Sequence, residues 1–331
     1  MLIANSPVWQ NLLRVQIEPT NRCNFKCSYC RRSYWSRPNG DMTLEQFLLV
    51  LDKLPSVARI HLQGVGEPLL NRDLPKMVRS ARSSGARVGT STNASLLTRE
   101  AAAALLDAGI NRINLSIDTI DPLVFKRLRD GITVESVINN ITALADIRCK
   151  SSYPDTDLAL ALVASPSVLE KLQEIIHLGA NLGLDEVYMQ NLNSSFFPSN
   201  NSDLQQLNNV DPEKYREATL AAGITAENLG IRFLAPDLDC TDHSYRCQWP
   251  FHGCNITWDG FVSPCCLQPD PDLLNFGNLF ESDFEMIWQS SSYRDFRARV
   301  KADCEPICVE CPARYGRMWH PAANPFAKHE S

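Results

Sequence analysis

Three things are scarce in this chain of 331 residues, and each absence excludes a class of protein. No apolar run approaches the roughly 20 residues that a membrane-spanning helix needs. No long run of lysine or arginine occurs and the net charge is −6, so a nucleic-acid partner is not expected. Residues 1–10 lack a basic stretch followed by an apolar core. We therefore expect no signal peptide, no membrane partner and a cytoplasmic location.

The twelve cysteines are missing from one long stretch and concentrated in two others. None lies between residues 31 and 148, whereas three lie at 23–30, one at 149 and eight between 240 and 311. Cytoplasmic cysteines rarely form disulfides and more often bind metals or take part in catalysis. The distribution therefore predicts two separate metal-binding regions.

The first two-thirds of the sequence alternates short apolar runs with helix signals. The predicted strands are Arg14–Thr20, Arg59–Gly64, Arg87–Asn93, Arg112–Asp118, Asp157–Val163 and Glu186–Leu192. Helices are predicted to begin at the capping boxes Thr43–Gln46 and Ser167–Glu170 and at Asp211-Pro212, with others over Ala101–Ala108 and Val134–Arg148. Six βα repeats predict parallel strands and are too few to close an eight-stranded barrel. The expected fold class is α/β, a partial (βα)6 TIM-like barrel.

The amino-acid composition changes after Leu234, where cysteine, tryptophan, proline and glycine become frequent. We place a domain boundary near Ala235, with a barrel domain over 1–235, a small second domain over 236–320 and a tail over 321–331. Asp259-Gly260 between two β-rich runs predicts a hairpin. A helix is expected over Phe284–Val300, so the second domain combines a β-hairpin with a helix and carries the second group of cysteines.

The first cysteines have the spacing C-x3-C-x2-C, at Cys23, Cys27 and Cys30. A loop this short can place three thiolates on three corners of an iron–sulfur cube and does not easily reach the fourth. Since iron–sulfur clusters normally take four cysteine ligands, this spacing predicts one iron that is open to another ligand. A zinc site is the alternative, although structural zinc usually has four protein ligands.

The motifs together resemble the radical S-adenosylmethionine (SAM) superfamily. Gly64-Val65-Gly66-Glu67-Pro68 is similar to its GGEP motif, with valine-glycine in place of the glycine pair, and Asn114–Asp118 is similar to its fourth strand. The resemblance extends from about residue 14 to residue 192. It implies a [4Fe–4S] cluster on Cys23, Cys27 and Cys30, with SAM as a second cofactor. SAM is cleaved reductively to a 5′-deoxyadenosyl radical, which abstracts a hydrogen from the substrate.

The resemblance also implies contacts with SAM. Gly66 and Glu67 would meet the amine through backbone and side-chain acceptors, and Ser116 and Arg129 are candidates for the ribose and the carboxylate. Arg129 suits a carboxylate because its planar fork binds one bidentately. The remaining candidates are Tyr29 and Gln190–Leu192 near the adenine, and Tyr34, Trp35 and Arg37 on the substrate side.

The C-terminal cysteines resemble the SPASM/twitch extension of the superfamily, in which a hairpin and a following helix carry an auxiliary [4Fe–4S] cluster. The implied ligands are Cys247, Cys265, Cys308 and Cys311, enough for one cluster, which favours the shorter twitch form. Cys240, Cys266 or Cys304 could replace one of them. A zinc ribbon is the alternative here too, since two cysteine pairs also form zinc sites.

Several functions fit this pattern. The first is an epimerase that inverts a carbinol carbon of a sugar or aminocyclitol, with Cys254 returning a hydrogen atom from its thiol. The second is a dehydrogenase in which the auxiliary cluster accepts an electron. Peptide maturation is a third, which the absence of a leader-binding domain before Cys23 disfavours, and a non-enzymatic iron–sulfur scaffold is a fourth. The expected partners are a small-molecule substrate and a reductant such as flavodoxin or ferredoxin.

Overall fold

One sheet of nine strands organises the chain. The structure is a computed structural model that describes residues 12–150, 153, 155–191, 210–236, 247–309 and 311–315. The strands are β1 (Arg14–Ile17), β2 (Arg59–Leu62), β3 (Arg87–Thr92), β4 (Arg112–Ser116), β5 (Asp157–Val163), β6 (Glu186–Gln190), β7 (Arg232–Leu234), β8 (Gly253–Ile256) and β9 (Val262–Ser263). Their order is β7-β6-β5-β4-β3-β2-β1-β8-β9.

All neighbouring strands are parallel except β8 and β9, which form an antiparallel hairpin. The sheet is open between β7 and β9, and the predicted α/β partial barrel is confirmed. A seventh parallel strand, β7, extends the six predicted from sequence. The hairpin joins the same sheet because β8 pairs with β1, with Val15 opposite Cys254. The domain boundary near Ala235 stays a prediction.

Helices connect the parallel strands and cover one face of the sheet. They are α1 (Leu44–Lys53), α2 (Leu74–Ser83), α3 (Arg99–Asp107), α4 (Pro122–Arg129), α5 (Val134–Lys150), α6 (Pro166–Asn181), α7 (Pro212–Leu229), α8 (Trp249–His252), α9 (Phe284–Trp288), α10 (Ser291–Lys301) and α11 (Pro306–Val309). Within the described residues, no helix is long and apolar enough to cross a bilayer.

Local sequence signals predicted some helix starts correctly and others wrongly. The capping box at Thr43 is confirmed, with the Thr43 hydroxyl and the Gln46 side chain each accepting the other residue's amide (3.1 and 2.9 Å). The capping box proposed at Ser167 is wrong: Ser165 caps α6, and Pro166 takes the first helical position. The single helix expected over Phe284–Val300 is two helices, because Ser290 caps a new start for α10.

The two faces of the sheet differ sharply in polarity. Successive strand residues point to opposite faces, and one face presents buried aliphatic residues such as Val15, Ile60 and Ile113 to the helices. The other, concave face is polar. Its side chains bond to one another across strands, His61 to Ser91 (3.0 Å) and Asn114 to Ser91 (3.1 Å). A ligand inside the open barrel therefore meets amide, hydroxyl and imidazole groups.

Candidate active site

Three half-buried cysteines share one loop at the carboxyl end of β1. The Cys30 amide donates to the Cys27 carbonyl (3.1 Å), and the Ser28 amide donates to the Leu128 carbonyl at the end of α4 (3.0 Å). Cys23 and Cys27 each lie within electrostatic range of Cys30. Backbone hydrogen bonds thus fix the shape of the loop that carries these thiols.

The surroundings of this loop hold the thiols in their neutral form. Burial raises the pKa of Cys23 and Cys30, and raises the pKa of Cys27 to about 12. The Arg129 guanidinium opposes this effect at Cys27. Metal binding requires thiolates, and a bound cation reverses the local preference for the neutral form. Three adjacent thiols of this kind fit a metal cluster held by one loop.

Arg129 lies beside Cys27 in a buried ion pair. Its Nε and Nη2 both donate to Asp118 Oδ2 (2.8 and 2.6 Å), and the Tyr29 hydroxyl donates to the same oxygen. Asp118 Oδ1 accepts the Val163 amide (2.9 Å). Two of the three guanidinium nitrogens are therefore committed to Asp118. The contacts predicted for Arg129 and Tyr29 with SAM stay predictions, and the donors of Arg129 that Asp118 does not use are those of Nη1 and the second N–H of Nη2.

The Gly66–Pro68 turn packs tightly against the cysteine loop. A Cβ on Gly66 would lie 2.4 Å from the carbonyl oxygens of Thr20 and Arg22, so no side chain fits there. The Glu67 carboxylate accepts the Thr92 hydroxyl (2.6 Å) and the Asn93 amide (2.8 Å) at the end of β3. These bonds hold the Glu67 carboxylate in place and leave its Oε2 able to accept a further bond, so the contacts predicted for Gly66 and Glu67 with the SAM amine stay predictions.

Glu18 is a buried carboxyl that links this turn to the C-terminal hairpin. It is 1% exposed, its Oε1 accepts the Val65 amide (2.9 Å) and its Oε2 accepts the Trp258 amide (3.3 Å). Burial is the largest cause that raises the pKa of Glu18 to about 7. A Cβ on Gly64 would lie 2.1 Å from Glu18 Oε1, so glycine makes room for the carboxyl.

Ser116 and Gln190 are the last residues of β4 and β6. Both are half-buried and lie at the same edge of the sheet as the cysteine loop. Their predicted roles toward SAM stay predictions, and Leu192 lies outside the described residues. Arg37 forms an ion pair with Asp259 of the hairpin (2.5 Å), and its place on the substrate side stays a prediction.

Four cysteines of the second region line one cavity of about 270 Å³: Cys247, Cys265, Cys308 and Cys311. Most of the remaining lining is apolar, including Trp249, Phe296 and Ile307. Burial raises the pKa of Cys265 to about 12, and amides of Leu267 and Gln268 donate to its sulfur. Four thiols around one apolar cavity fit a cluster with full cysteine ligation. Their assignment as ligands stays a prediction.

The alternative ligands differ in position. Cys304 is exposed and its thiol donates to the Arg299 carbonyl (3.6 Å), whereas Cys266 directly follows Cys265 and has Cys265, Arg14 and Cys311 as electrostatic neighbours, so it stays an alternative ligand. Cys240 lies outside the described residues. In the described ranges, no three His, Cys, Asp or Glu side chains surround a position suited to a single metal ion.

Cys254, predicted as a hydrogen donor, is not brought together with the first cysteine loop. It pairs with Val15 and shares the helix-covered face, whereas its neighbour Asn255 points into the barrel and accepts from Gln16 (3.1 Å). Its side chain is fully buried, with Tyr293 and Arg297 of α10 within electrostatic range. Strand alternation thus directs this thiol away from the concave face.

Arg31 connects the two cysteine regions. It directly follows Cys30, and its guanidinium donates to the Leu267 carbonyl and to Gln268 Oε1 (3.3 Å). Gln268 is buried and lines the cavity of the second region, and Cys265 is the first electrostatic partner of Arg31. One side chain therefore spans from the first cysteine loop to the segment that carries Cys265.

Family comparisons match both regions. The model described as the radical SAM superfamily matches residues 17–156, and the SPASM model, described as an iron-sulfur cluster-binding domain, matches residues 247–312. Together they account for more than half of the chain. The chain belongs to the radical SAM superfamily. Its cofactors are accordingly [4Fe–4S] clusters and SAM.

Relatives of this radical SAM protein have diverse activities. A tungsten-containing aldehyde ferredoxin oxidoreductase cofactor-modifying protein of Pyrococcus furiosus is 26% identical, covering 90% of this chain and 86% of the relative. A probable GTP 3′,8-cyclase of Methanococcus maripaludis is also 26% identical, covering 89% and 95%. Streptococcus suis SuiB bound to SAM superposes with a TM-score of 0.68 at 16% identity, covering 87% of this chain and 68% of that one. At this identity the likeness shows the fold alone.

Sequence reasoning missed three residues of this radical SAM site. Glu18 was visible as a charged residue within an apolar strand signal, and Arg31 as a charge directly after a predicted ligand. Asp118 was seen only as part of a strand motif. Glu18 and Arg31 could not be assigned, because their partners Trp258 and Gln268 lie 240 and 237 residues away in sequence. Asp118 and Arg129 are only 11 residues apart, but no spacing pattern in the sequence marks them as a pair.

Proposed function

We propose that this enzyme oxidises an alcohol of a hydroxylated small molecule to a carbonyl, with the second cysteine region holding the electron acceptor. When bound, the cofactors supply a 5′-deoxyadenosyl radical at the first region and a one-electron acceptor at the second. The observation that carries the proposal is the cavity lined by Cys247, Cys265, Cys308 and Cys311. Full ligation by four thiols suits a cluster to electron transfer because it leaves no iron open.

The connection between the two regions supports this assignment. Arg31 joins the loop of Cys30 to the segment of Cys265 by hydrogen bonds. A fixed positive charge between two cluster sites favours the reduced, more negative state of each. An electron leaving the substrate radical would therefore find an acceptor that the protein has stabilised for reduction.

The concave face supports a hydroxylated substrate. Its cross-strand network of Gln16, His61, Ser91, Asn114 and Asn255 supplies donors and acceptors for hydroxyl groups. The same face gives less support to epimerisation through Cys254, because that thiol lies on the other side of β8. The structural neighbours do not tell us whether the substrate is a small molecule or a peptide, because their similarity to this chain supports only the fold.

The test uses anaerobically reconstituted enzyme, SAM, a strong reductant and a panel of sugars and aminocyclitols in D2O. We expect a carbonyl product and 5′-deoxyadenosine in equal amounts. In Cys308→Ala, we expect 5′-deoxyadenosine formation to continue while the carbonyl product is lost. Cys304→Ala is the matched control, because this exposed thiol lies outside the cavity lining.

Two results would contradict the proposal. Deuterium at an inverted carbinol carbon, without a carbonyl product, would assign epimerisation instead. Undiminished carbonyl formation in Cys308→Ala enzyme that has lost its second cluster would remove that cluster from the electron path.

A further inference from the structure

His61 is a buried histidine on the concave face whose two ring nitrogens differ in their surroundings. The side chain is 7% exposed, and its Nε2 lies 2.8 Å from Gln63 Oε1 and 3.0 Å from the Ser91 hydroxyl. Within the described residues, Nδ1 has no hydrogen-bond partner. It is also not one of the fully enclosed polar atoms. Nδ1 is therefore open to a molecule inside the barrel.

The hydrogen-bond network assigns the proton of His61 to Nε2. An amide oxygen can only accept a hydrogen bond, so the contact with Gln63 Oε1 requires Nε2 to donate. Burial is the largest cause that lowers the pKa of His61 to about 3, and the charges of Arg14 and Arg112 act in the same direction. The ring is therefore neutral near pH 7, and Nδ1 is left as an acceptor.

Small residues keep the space beside this nitrogen open. Gly89 pairs with His61 in register, and a Cβ on Gly89 would lie 3.1 Å from Nδ1. Ser91 follows on the same face of β3, and Ala159 and Ala161 of β5 pair in register with the concave residues of β4. The interior of a closed barrel is filled by bulky branched residues. Glycine, serine and alanine at these positions instead leave room for a ligand.

His61 lies toward the end of the barrel that carries the first cysteine loop. It is the third of the four residues of β2, and the chain continues from Leu62 to the Gly66–Pro68 turn, which packs against that loop. Its partner in register on β1 is Gln16, also a third residue of four. From His61 to Gly64 an extended chain advances roughly 10 Å. A ring-sized ligand bonded to Nδ1 would therefore lie between His61 and the turn.

We propose that His61 Nδ1 accepts a hydrogen bond from a hydroxyl group of the substrate and so selects which carbon of a hydroxylated ring faces the first cysteine loop. A hydroxyl suits this nitrogen better than a protonated amine, because the charges of Arg14 and Arg112 make the surroundings positive. The inference rests on the proposed function for the class of substrate. It adds a specificity-determining residue to that function.

Ligand binding can be measured without turnover, so this inference and the proposed function can fail separately. The reconstituted holoenzyme, with SAM and without reductant, is titrated by calorimetry with D-glucose, D-galactose and myo-inositol. We expect at least one of these neutral polyols to bind saturably. In 15N NMR spectra of histidine-labelled holoenzyme, that polyol should move the Nδ1 resonance of His61 to lower frequency. A histidine that bonds only to Gln63 and Ser91 would keep its Nδ1 resonance unchanged.

Two substitutions of His61 separate its nitrogens. In His61→Gln the longer amide reaches the position of Nε2 and leaves no acceptor at Nδ1, so binding should weaken roughly two- to tenfold, the range for one neutral hydrogen bond. In His61→Asn the shorter amide lies near the position of Nδ1 and should restore part of the affinity. His177→Gln, at an exposed histidine of α6, is the matched control and should bind as wild type does.

A third variant blocks Nδ1 without changing the histidine. Gly89→Ala places a methyl group 3.1 Å from Nδ1 and should weaken binding at least as much as His61→Gln. Gly223→Ala is its control, because a Cβ there would meet no atom within 4 Å. Three results would each overturn the inference: no polyol binds wild type, the Nδ1 resonance does not move on binding, or either His61→Gln or Gly89→Ala binds as tightly as wild type.

Discussion

The buried carboxyl of Glu18 makes the stability of this protein depend on pH near neutrality. Burial raises its pKa from the ordinary value of 4.5 to about 7 in the folded protein. The unfolded chain therefore ionises Glu18 near pH 4.5, whereas the folded chain keeps it protonated up to about pH 7. Its contribution to stability is fully present below pH 4.5 and is lost as the pH rises to about 7.

The size of this effect follows from the two pKa values. A rise from 4.5 to about 7 corresponds to roughly 3 kcal/mol lost once the pH exceeds both values, at about 1.4 kcal/mol per pH unit. About 2 kcal/mol of that loss falls between pH 5.5 and pH 8. Glu18→Gln cannot ionise, so its stability relative to wild type should rise by this amount over the same interval.

Differential scanning calorimetry of the reconstituted proteins under anaerobic conditions measures this difference in stability. The melting temperature of Glu18→Gln minus that of wild type should increase by roughly 4 °C from pH 5.5 to pH 8. The variant also loses one acceptor, because its amide group faces the Trp258 amide, but that effect is the same at every pH. Glu281→Gln, an exposed glutamate, is the control. A temperature difference that does not change with pH would refute a raised pKa at Glu18.

Three further predictions follow from the site. Gly66→Ala should abolish SAM binding, measured by calorimetry, because its Cβ would lie 2.4 Å from two carbonyl oxygens of the cysteine loop; unchanged binding would show that the turn is not packed as described. Arg31→Gln should shift the midpoint potential of the second cluster to more negative values in an EPR-monitored titration, because it removes a positive charge near Cys265. Arg32→Gln, on the neighbouring residue that bonds to Asn21 (2.8 Å), should not shift it. Asp118→Asn should destabilise the protein by about 3 kcal/mol, because it leaves the buried Arg129 charge uncompensated; a melting temperature equal to wild type would contradict this.

Periodicity predicted the parallel strands well because their apolar residues are nearly continuous. Asp157–Val163 was predicted with its observed bounds, and the N-cap at Asp211 is confirmed by bonds from Glu213 and Lys214. The strand β7 was not predicted, because a run of three residues is too short to show the pattern of a strand. The helix α2 was not predicted either, although Pro75 stands in its first turn.

The candidate site was predictable to the extent that its residues are close in sequence. Spacing alone singled out the first three cysteines. The four cysteines of the second region were found through a resemblance, and the structure gathers them around one cavity. The position of Cys254 could not be deduced, because it depends on the register between β8 and β1, which lie 239 residues apart at Gln16 and Asn255. A shift of one residue would have turned this thiol into the barrel.

The connection between the two cysteine regions explains why the hairpin should not be treated as a separable module. β8 pairs with β1 in the same sheet, and charged side chains fasten the hairpin segment to the first region: Glu18 holds the Trp258 amide, Arg31 the Leu267 carbonyl and Arg37 the Asp259 carboxylate. Glu18 directly follows β1, and Arg31 and Arg37 follow Cys30 closely in sequence. A change in charge at the second cluster would therefore act directly on side chains that shape the first loop. On this geometry we expect electron transfer between the regions to be coupled to the conformation of the Gly66–Pro68 turn.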